Sequence, residues 1–127
     1  MITSYNFDFC HVEIHHDYIL SVMNEGVIVS PEFITQMSFM ANKHYKDKFF
    51  VYITHRVNSY SVNPISYFEG NKIKNMVGFA VVSEDPKQQS LSKIERTFFD
   101  KELQYFDTLQ AALQWKDEVI KKANKFK

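Results

Sequence analysis

Cysteine occurs once, at Cys10, so no disulfide forms within the chain. A reducing compartment such as the cytoplasm is the expected setting. Glycine and proline are scarce, three of each in 127 residues, which predicts short connections rather than long loops. Neither sign of charge is in excess, since 15 basic residues cancel 15 acidic ones. Nucleic-acid binding is not expected from that balance, because it draws on a basic surface that displaces phosphate counterions. No apolar run approaches the roughly 18 residues of a transmembrane helix. The start, MITSYNFDFC, lacks a basic segment followed by an apolar one, so no secretory signal is expected. The chain also lacks a glycine-rich phosphate loop, a HExxH pair and a nucleophile-elbow serine.

What remains is rich in core-forming residues. Hydrophobic residues make up 45% and aromatic residues 16%, with 12 Phe and 7 Tyr. A chain of this length and composition buries a core without a metal or disulfide. Residues 1–127 are therefore read as one domain.

The order of elements carries most of the information. Tyr5 to Ile14 alternates with period 2 and switches parity near Phe9 and Cys10. This predicts one strand carrying a bulge or covered on both faces. YILSVM (Tyr18 to Met23) is a second strand, paired with the first as an antiparallel hairpin. Gly26 sits in a turn, and Val27 to Val29 extends the chain. Ser30-Pro31-Glu32 starts a helix: Ser caps, Pro takes the first helical position and Glu meets the positive end of the dipole. Phe33, Met37, Met40, Ala41 and His44 form its apolar stripe. FFVYIT (Phe49 to Thr54) and MVGFAVV (Met76 to Val82) are apolar without alternation, as strands covered on both faces are. Asn63-Pro64 starts a short helix between them, and Asp85-Pro86 starts a third with Leu91, Ile94 and Phe98 facing inward. ELQYF (Glu102 to Phe106) is the last strand. Asp107, with Gln110 three residues on, is the expected cap of the final helix, whose stripe is Leu109, Ala112, Leu113, Val119 and Ile120. The lysines of KDEVIKKANKFK, Lys116 among them, are read as a solvated helix end. The resulting β-β-α-β-α-β-α-β-α order predicts an α/β fold on a single mixed sheet, with parallel pairing through right-handed crossovers.

This order, with VGFAVVSED and FFDKELQYFDTLQAALQWK in its second half, resembles the SpoIIAA-like group of STAS-like (STAS/SEC14) domains, small bacterial relatives of anti-sigma-factor antagonists. The similarity runs over almost the whole chain. It implies helices mainly on one face of the sheet, and a role in protein interaction, signalling or apolar-ligand binding without a cofactor. Regulatory members carry a phosphorylated Ser in an Asp-Ser-Gly-like segment at the start of the second helix. Here that region reads HRVNSYSVNP, with Ser59 and Ser61 but without the Asp and Gly, so the resemblance does not carry a phosphorylation switch onto either serine.

Open α/β sheets place ligands at the C-terminal edge of their parallel strands. His55, Arg56, Asn58, Ser59 and Ser61 follow the third strand there, and Ser83 and Glu84 follow the fourth. Arg56 is suited to hold a carboxylate or phosphate through two parallel hydrogen bonds. His11, Glu13 and His15 share one parity on the first strand, and imidazole with carboxylate suits a transition metal. Alternate polar residues are equally the solvent face of a half-buried sheet. His44 reads as a packing histidine and Cys10 as a buried, inert thiol. The aromatic excess allows for a cavity or a dimer face, and an open edge strand would permit a homodimer. The sequence thus favours a non-catalytic interaction or regulatory module whose partner is a protein. The alternatives are a carrier or sensor of a small apolar ligand, and a small metal protein or enzyme using the His11, Glu13 and His15 face.

Overall fold

A computed structural model describes residues 1–58, 61–63, 65–87, 93 and 96–126. Six strands form one mixed sheet: β1 (Thr3–Asn6), β2 (Cys10–Ile14), β3 (Tyr18–Met23), β5 (Phe50–His55), β7 (Met76–Val82) and β8 (Glu102–Phe106), in the spatial order β1-β2-β3-β5-β7-β8. β1–β2 and β2–β3 pair antiparallel, and β3–β5, β5–β7 and β7–β8 pair parallel. FFVYIT and MVGFAVV therefore lie side by side, with Tyr52 opposite Phe79 and Ile53 opposite Ala80. A parallel two-residue ribbon joins β4 (Ile28–Val29) to β6 (Ser61–Val62). The helices described from end to end are α1 (Pro31–His44), α2 (Ile65–Gly70) and α3 (Leu109–Lys125), with a 3-10 turn at Arg96–Phe98; Pro86, Lys87 and Lys93 are helical as well. The helix expected from Asp85-Pro86, with Leu91 and Ile94, lies largely outside the described residues.

The first ten residues of pattern resolve differently from expectation. Tyr5 to Ile14 is not one bulged strand but two, β1 and β2, in a tight hairpin closed by Phe7 N–H donating to Cys10 O at 2.9 Å. The parity switch at Phe9–Cys10 marks the return of the chain. A bulge and a tight turn both shift parity, and period alone does not separate them.

Register sorts the side chains into two faces. Ile14, Ile19, Tyr52, Phe79 and Leu103 form one row across five strands, and α1 and α2 cover it. Phe33 of α1 meets Tyr52 edge-on, with centroids 6.4 Å apart. On the opposite face the row is Glu13, Leu20, Ile53, Ala80 and Gln104. It is apolar only in the middle, and there α3 lies. Two of the helices share a face, as the resemblance implies, and the last helix crosses to the other.

Gly78 makes that last packing close. A Cβ at this position would stand 3.1 Å from Trp115 Cη2 and 3.3 Å from Val119 Cγ1. The helix begins at Thr108, whose hydroxyl accepts from Ala111 N–H at 3.2 Å; Asp107 is one residue too early to be the cap. Lys116 departs from its expected place in the solvated tail. It occupies the buried stripe with Ala112 and Val119, one helical turn from each. Its Nζ is 2.9 Å from Asp17 and 2.8 Å from Asp117, and 5.3 Å from the Tyr18 ring centroid. Burial pulls the ammonium's pKa down, but the two carboxylates outweigh burial and leave it raised. On the other side of the same β2–β3 turn, the fully buried Tyr45 directs its hydroxyl at His15 O (2.6 Å) and Tyr18 O (2.8 Å).

Two outcomes follow from this packing. Gly78→Ala should lower unfolding free energy in urea by about 1–3 kcal/mol, the usual range for overpacking a tight contact, without changing the far-UV circular dichroism of the native state. Cys10 is 2% exposed, and burial pushes its thiol pKa up to about 12. On the order of one molecule in ten thousand is then thiolate at pH 8. A thiol reagent should leave the native protein unlabelled at that pH and label it rapidly in denaturant.

Candidate functional site

Between the sheet and the α1–α2 layer lies a cavity of about 40 Å³. A single buried water needs roughly 10–15 Å³ on the same measure, so the enclosed space is that of about three waters and takes no long acyl chain. Its walls are mainly apolar and aromatic: Met23 from β3, Phe33 and Met37 from α1, Tyr52 from β5, Phe79 from β7, and Phe99 after the 3-10 turn. The rings are locked edge-to-face. Tyr52 and Phe79 have centroids 5.1 Å apart at 64°, and Phe79 and Phe99 are 5.7 Å apart at 71°.

The polar groups gather toward the C-terminal end of β5. Tyr52, Thr54 and Arg56 share one parity, and all three line the cavity. The Tyr52 hydroxyl lies 2.5 Å from Ser21 Oγ in the core. Ser66 of α2 donates to Val29 O at 3.3 Å, tying the short helix to the β4–β6 ribbon beside the cavity. Arg56 follows the last residue of β5, yet its N–H still donates to Val82 O at 2.8 Å. The ladder hydrogen bond fixes the backbone from which the guanidinium projects.

Arg56 is the member of the sequence-predicted loop that reaches this cavity. His55 is one residue earlier and so lies on the opposite face, in register with Val82 beneath α3. Asn58 clips the loop to the sheet, donating from Nδ2 to Met23 O at 3.0 Å. Ser83 is buried; its Oγ accepts from Asp85 N–H at 3.1 Å, and its carbonyl accepts from the Tyr105 hydroxyl at 2.5 Å. Glu84 is exposed. Ser59 lies outside the described residues, and Ser61 pairs through its backbone with Ile28 in the ribbon. The six described members of the group therefore do not form one site: Arg56 lines the cavity, Asn58, Ser61 and Ser83 hold the backbone, His55 lies on the opposite face and Glu84 is exposed.

His11, Glu13 and His15 share a face, on the part of the sheet that α3 leaves uncovered. Glu13 accepts from His15 Nε2 at 2.9 Å, and the His15 ring stacks on Tyr18 at 4.2 Å. His11 donates from Nδ1 to Asn6 Oδ1 at 2.6 Å. Among the described residues no group of three His, Cys, Asp or Glu is placed to hold a metal ion. His44, expected as a packing residue, bonds through Nε2 to the Tyr5 hydroxyl at 2.8 Å. Burial holds its pKa below the ordinary imidazole value, with Lys43 adding to the effect. Sequence reasoning missed Tyr52, Thr54, Phe79 and Phe99 as site residues. A signal existed: in VYIT the residues with polar atoms, Tyr52 and Thr54, alternate with Val51 and Ile53, and Arg56 continues their parity, so this strand carries a polar-tipped stripe on one face.

No protein-family model matches the chain, and no curated protein matches it. Among solved structures it is similar to an uncharacterised protein of the DUF3478 family, with a SpoIIAA-like fold, from Shewanella loihica PV-4. The TM-score is 0.56 at 15% sequence identity, and the match covers 90% of this chain and 98% of the other. Also, no helix among the described residues is long and apolar enough to cross a membrane. Identity this low carries architecture and not activity. The chain has a SpoIIAA-like fold.

Proposed function

We propose that this chain is a non-catalytic binding module, cytoplasmic and regulatory in role, that takes a small, largely apolar molecule between α1, α2 and the sheet. The observation that carries the reading is the apolar cavity between the sheet and the α1–α2 layer, with a few polar groups converging toward the C-terminal end of β5. Binding sites for small molecules have this character. The non-catalytic part is supported by the buried, high-pKa thiol of Cys10 and by the separation of His55 from Arg56 across the sheet. A carrier of long-chain lipid fits less well than a sensor of a compact ligand, because the cavity is small.

Gly70 gives a direct test. It ends α2 and lines the cavity, and a Cβ there would have ordinary contacts, 3.7 Å to Met76 Cε and 3.8 Å to Phe99 Cε1. Gly70→Ala should stabilise the ligand-free protein by about 0.4–1 kcal/mol through lost chain entropy in the unfolded state. Gly70→Leu should fill the cavity. In a thermal-shift screen of small aromatic and branched compounds, hits should raise Tm of the wild type by several degrees at saturating ligand. Those shifts should vanish in Gly70→Leu; shifts that persist there would place binding elsewhere.

A second reading, a protein-interaction module that includes self-association, rests on exposed Ile28, Val57 and Ile65 in the segments forming and flanking the β4–β6 ribbon. Sedimentation of the wild type against an Ile28→Ser, Val57→Ser double variant checks it for self-association. A dimer abolished by the double substitution supports the reading, and a wild-type monomer at high micromolar concentration removes the homodimer.

A further inference from the structure

We infer that two copies of this chain pair β1 with β1, antiparallel and with Tyr5 on the two-fold axis, so that their sheets become one. The inference is independent of the cavity and of the β4–β6 ribbon.

The sheet ends on β1 at one side and on β8 at the other, and the two edges are finished differently. Ser83 N–H donates to Phe106 O at 3.0 Å, so the carbonyl of Leu103, three residues back, faces away from β7. Arg96 covers that carbonyl, donating to it from Nε at 2.9 Å and from Nη2 to Gln104 Oε1 at 3.1 Å. No described residue covers β1 in this way. Phe7 N–H donates to Cys10 O at 2.9 Å, and by alternation Tyr5 and Thr3 form the hydrogen-bonded pairs with Val12 and Ile14. Ser4 and Asn6 fall between those pairs, so their N–H and C=O groups point outward, and both residues are exposed. Edge strands are commonly blunted by charge, proline or a covering segment. Thr3 to Phe7 carries neither charge nor proline, and the exposed Met1 and Ile2 lead into it.

A second copy fits this edge because the edge is complementary to itself. With Tyr5 opposite Tyr5, Ser4 of each copy faces Asn6 of the other, and each such pair exchanges both N–H···O bonds. No like charges meet, since the paired residues have none. On the α1 face the half-buried rings of Tyr5 and Phe7 stack with centroids 6.3 Å apart, and those of Phe7 and Phe9 at 5.7 Å. The second copy brings the same rings alongside them, and aromatic pairs across strands stabilise a sheet. On the other face polar Ser4 meets polar Asn6, so each face continues in kind.

Sedimentation of the full chain at high micromolar concentration should show a dimer that the Ile28→Ser, Val57→Ser double variant retains. Ser4→Pro removes an outward donor and leaves the bonds to β2 in place. It should weaken the dimer at least tenfold and keep the native far-UV circular dichroism. Tyr5→Cys should form an intermolecular disulfide in oxidised glutathione, because residues opposite each other at such a pair have Cα atoms about 4.5 Å apart. Ser4→Cys, roughly 8 Å from its own copy in this register, should crosslink at least tenfold less; Cys10 is buried and takes no part. A wild-type monomer would overturn the inference. So would a dimer lost in the double variant and kept in Ser4→Pro, which would assign self-association to the ribbon. Equal crosslinking of the two cysteine variants would overturn the register. The crosslinking contrast decides the point even if Ser4→Pro fails to fold.

Discussion

β5 is hydrogen-bonded on both edges and covered on both faces, and the rest of the molecule is arranged by that fact. Its neighbours β3 and β7 run parallel to it, so each connection must cross the sheet on a helix-bearing segment. α1 and α2 provide those crossovers on the Tyr52 face. α3, entering after β8, takes the Val51 and Ile53 face. A strand buried this way cannot signal its faces by hydrophobic alternation, which is why FFVYITH shows none. Its two faces nonetheless differ in kind. Val51 and Ile53 meet a helix closely packed over Gly78, whereas Tyr52, Thr54 and Arg56 border a void.

The β2–β3 turn is the second fixed point. His15, His16 and Asp17 read in the sequence as a polar break, and the structure holds that break from both sides. Tyr45, at the end of α1, reaches the carbonyls of His15 and Tyr18. Lys116 reaches the Asp17 carboxylate from α3. A turn joined to a helix on each face couples the two helical layers through the strand pair between them. The ion pair is mostly shielded from solvent, so removing one partner leaves the other charge poorly solvated, and that loss exceeds what the intact pair contributes.

Much of this architecture was legible in the residues. The Ser-Pro-Glu start of α1, the stripe of Phe33, Met37, Met40 and Ala41, and the two apolar runs that became β5 and β7 all report local rules of capping and periodicity. The resemblance to SpoIIAA-like domains was legible from element order. What escaped depended on contacts distant in sequence. Lys116 looked like one more tail lysine because its partner, Asp17, is 99 residues away. The β1–β2 hairpin looked like a bulge because Phe7, Asp8 and Phe9 carry no glycine or proline to announce a turn. The candidate site was half legible: Arg56 was picked out by its place after a parallel strand. The ring-lined wall opposite it depended on how α1 and α2 settle on the sheet, and no spacing in one segment encodes that.

The β4–β6 ribbon is two residues long on each side, while the sheet behind the cavity is six strands wide. Val29 and Val62 belong to both the ribbon and the cavity wall. Local opening draws on the least cooperative part of a structure, and here that is a ladder of two residue pairs, held besides by Asn63 N–H and the Ser66 hydroxyl, both donating to Val29 O. Amide exchange is then expected to reach the ribbon side of the cavity first, and the six-stranded sheet with its edge-to-face rings last.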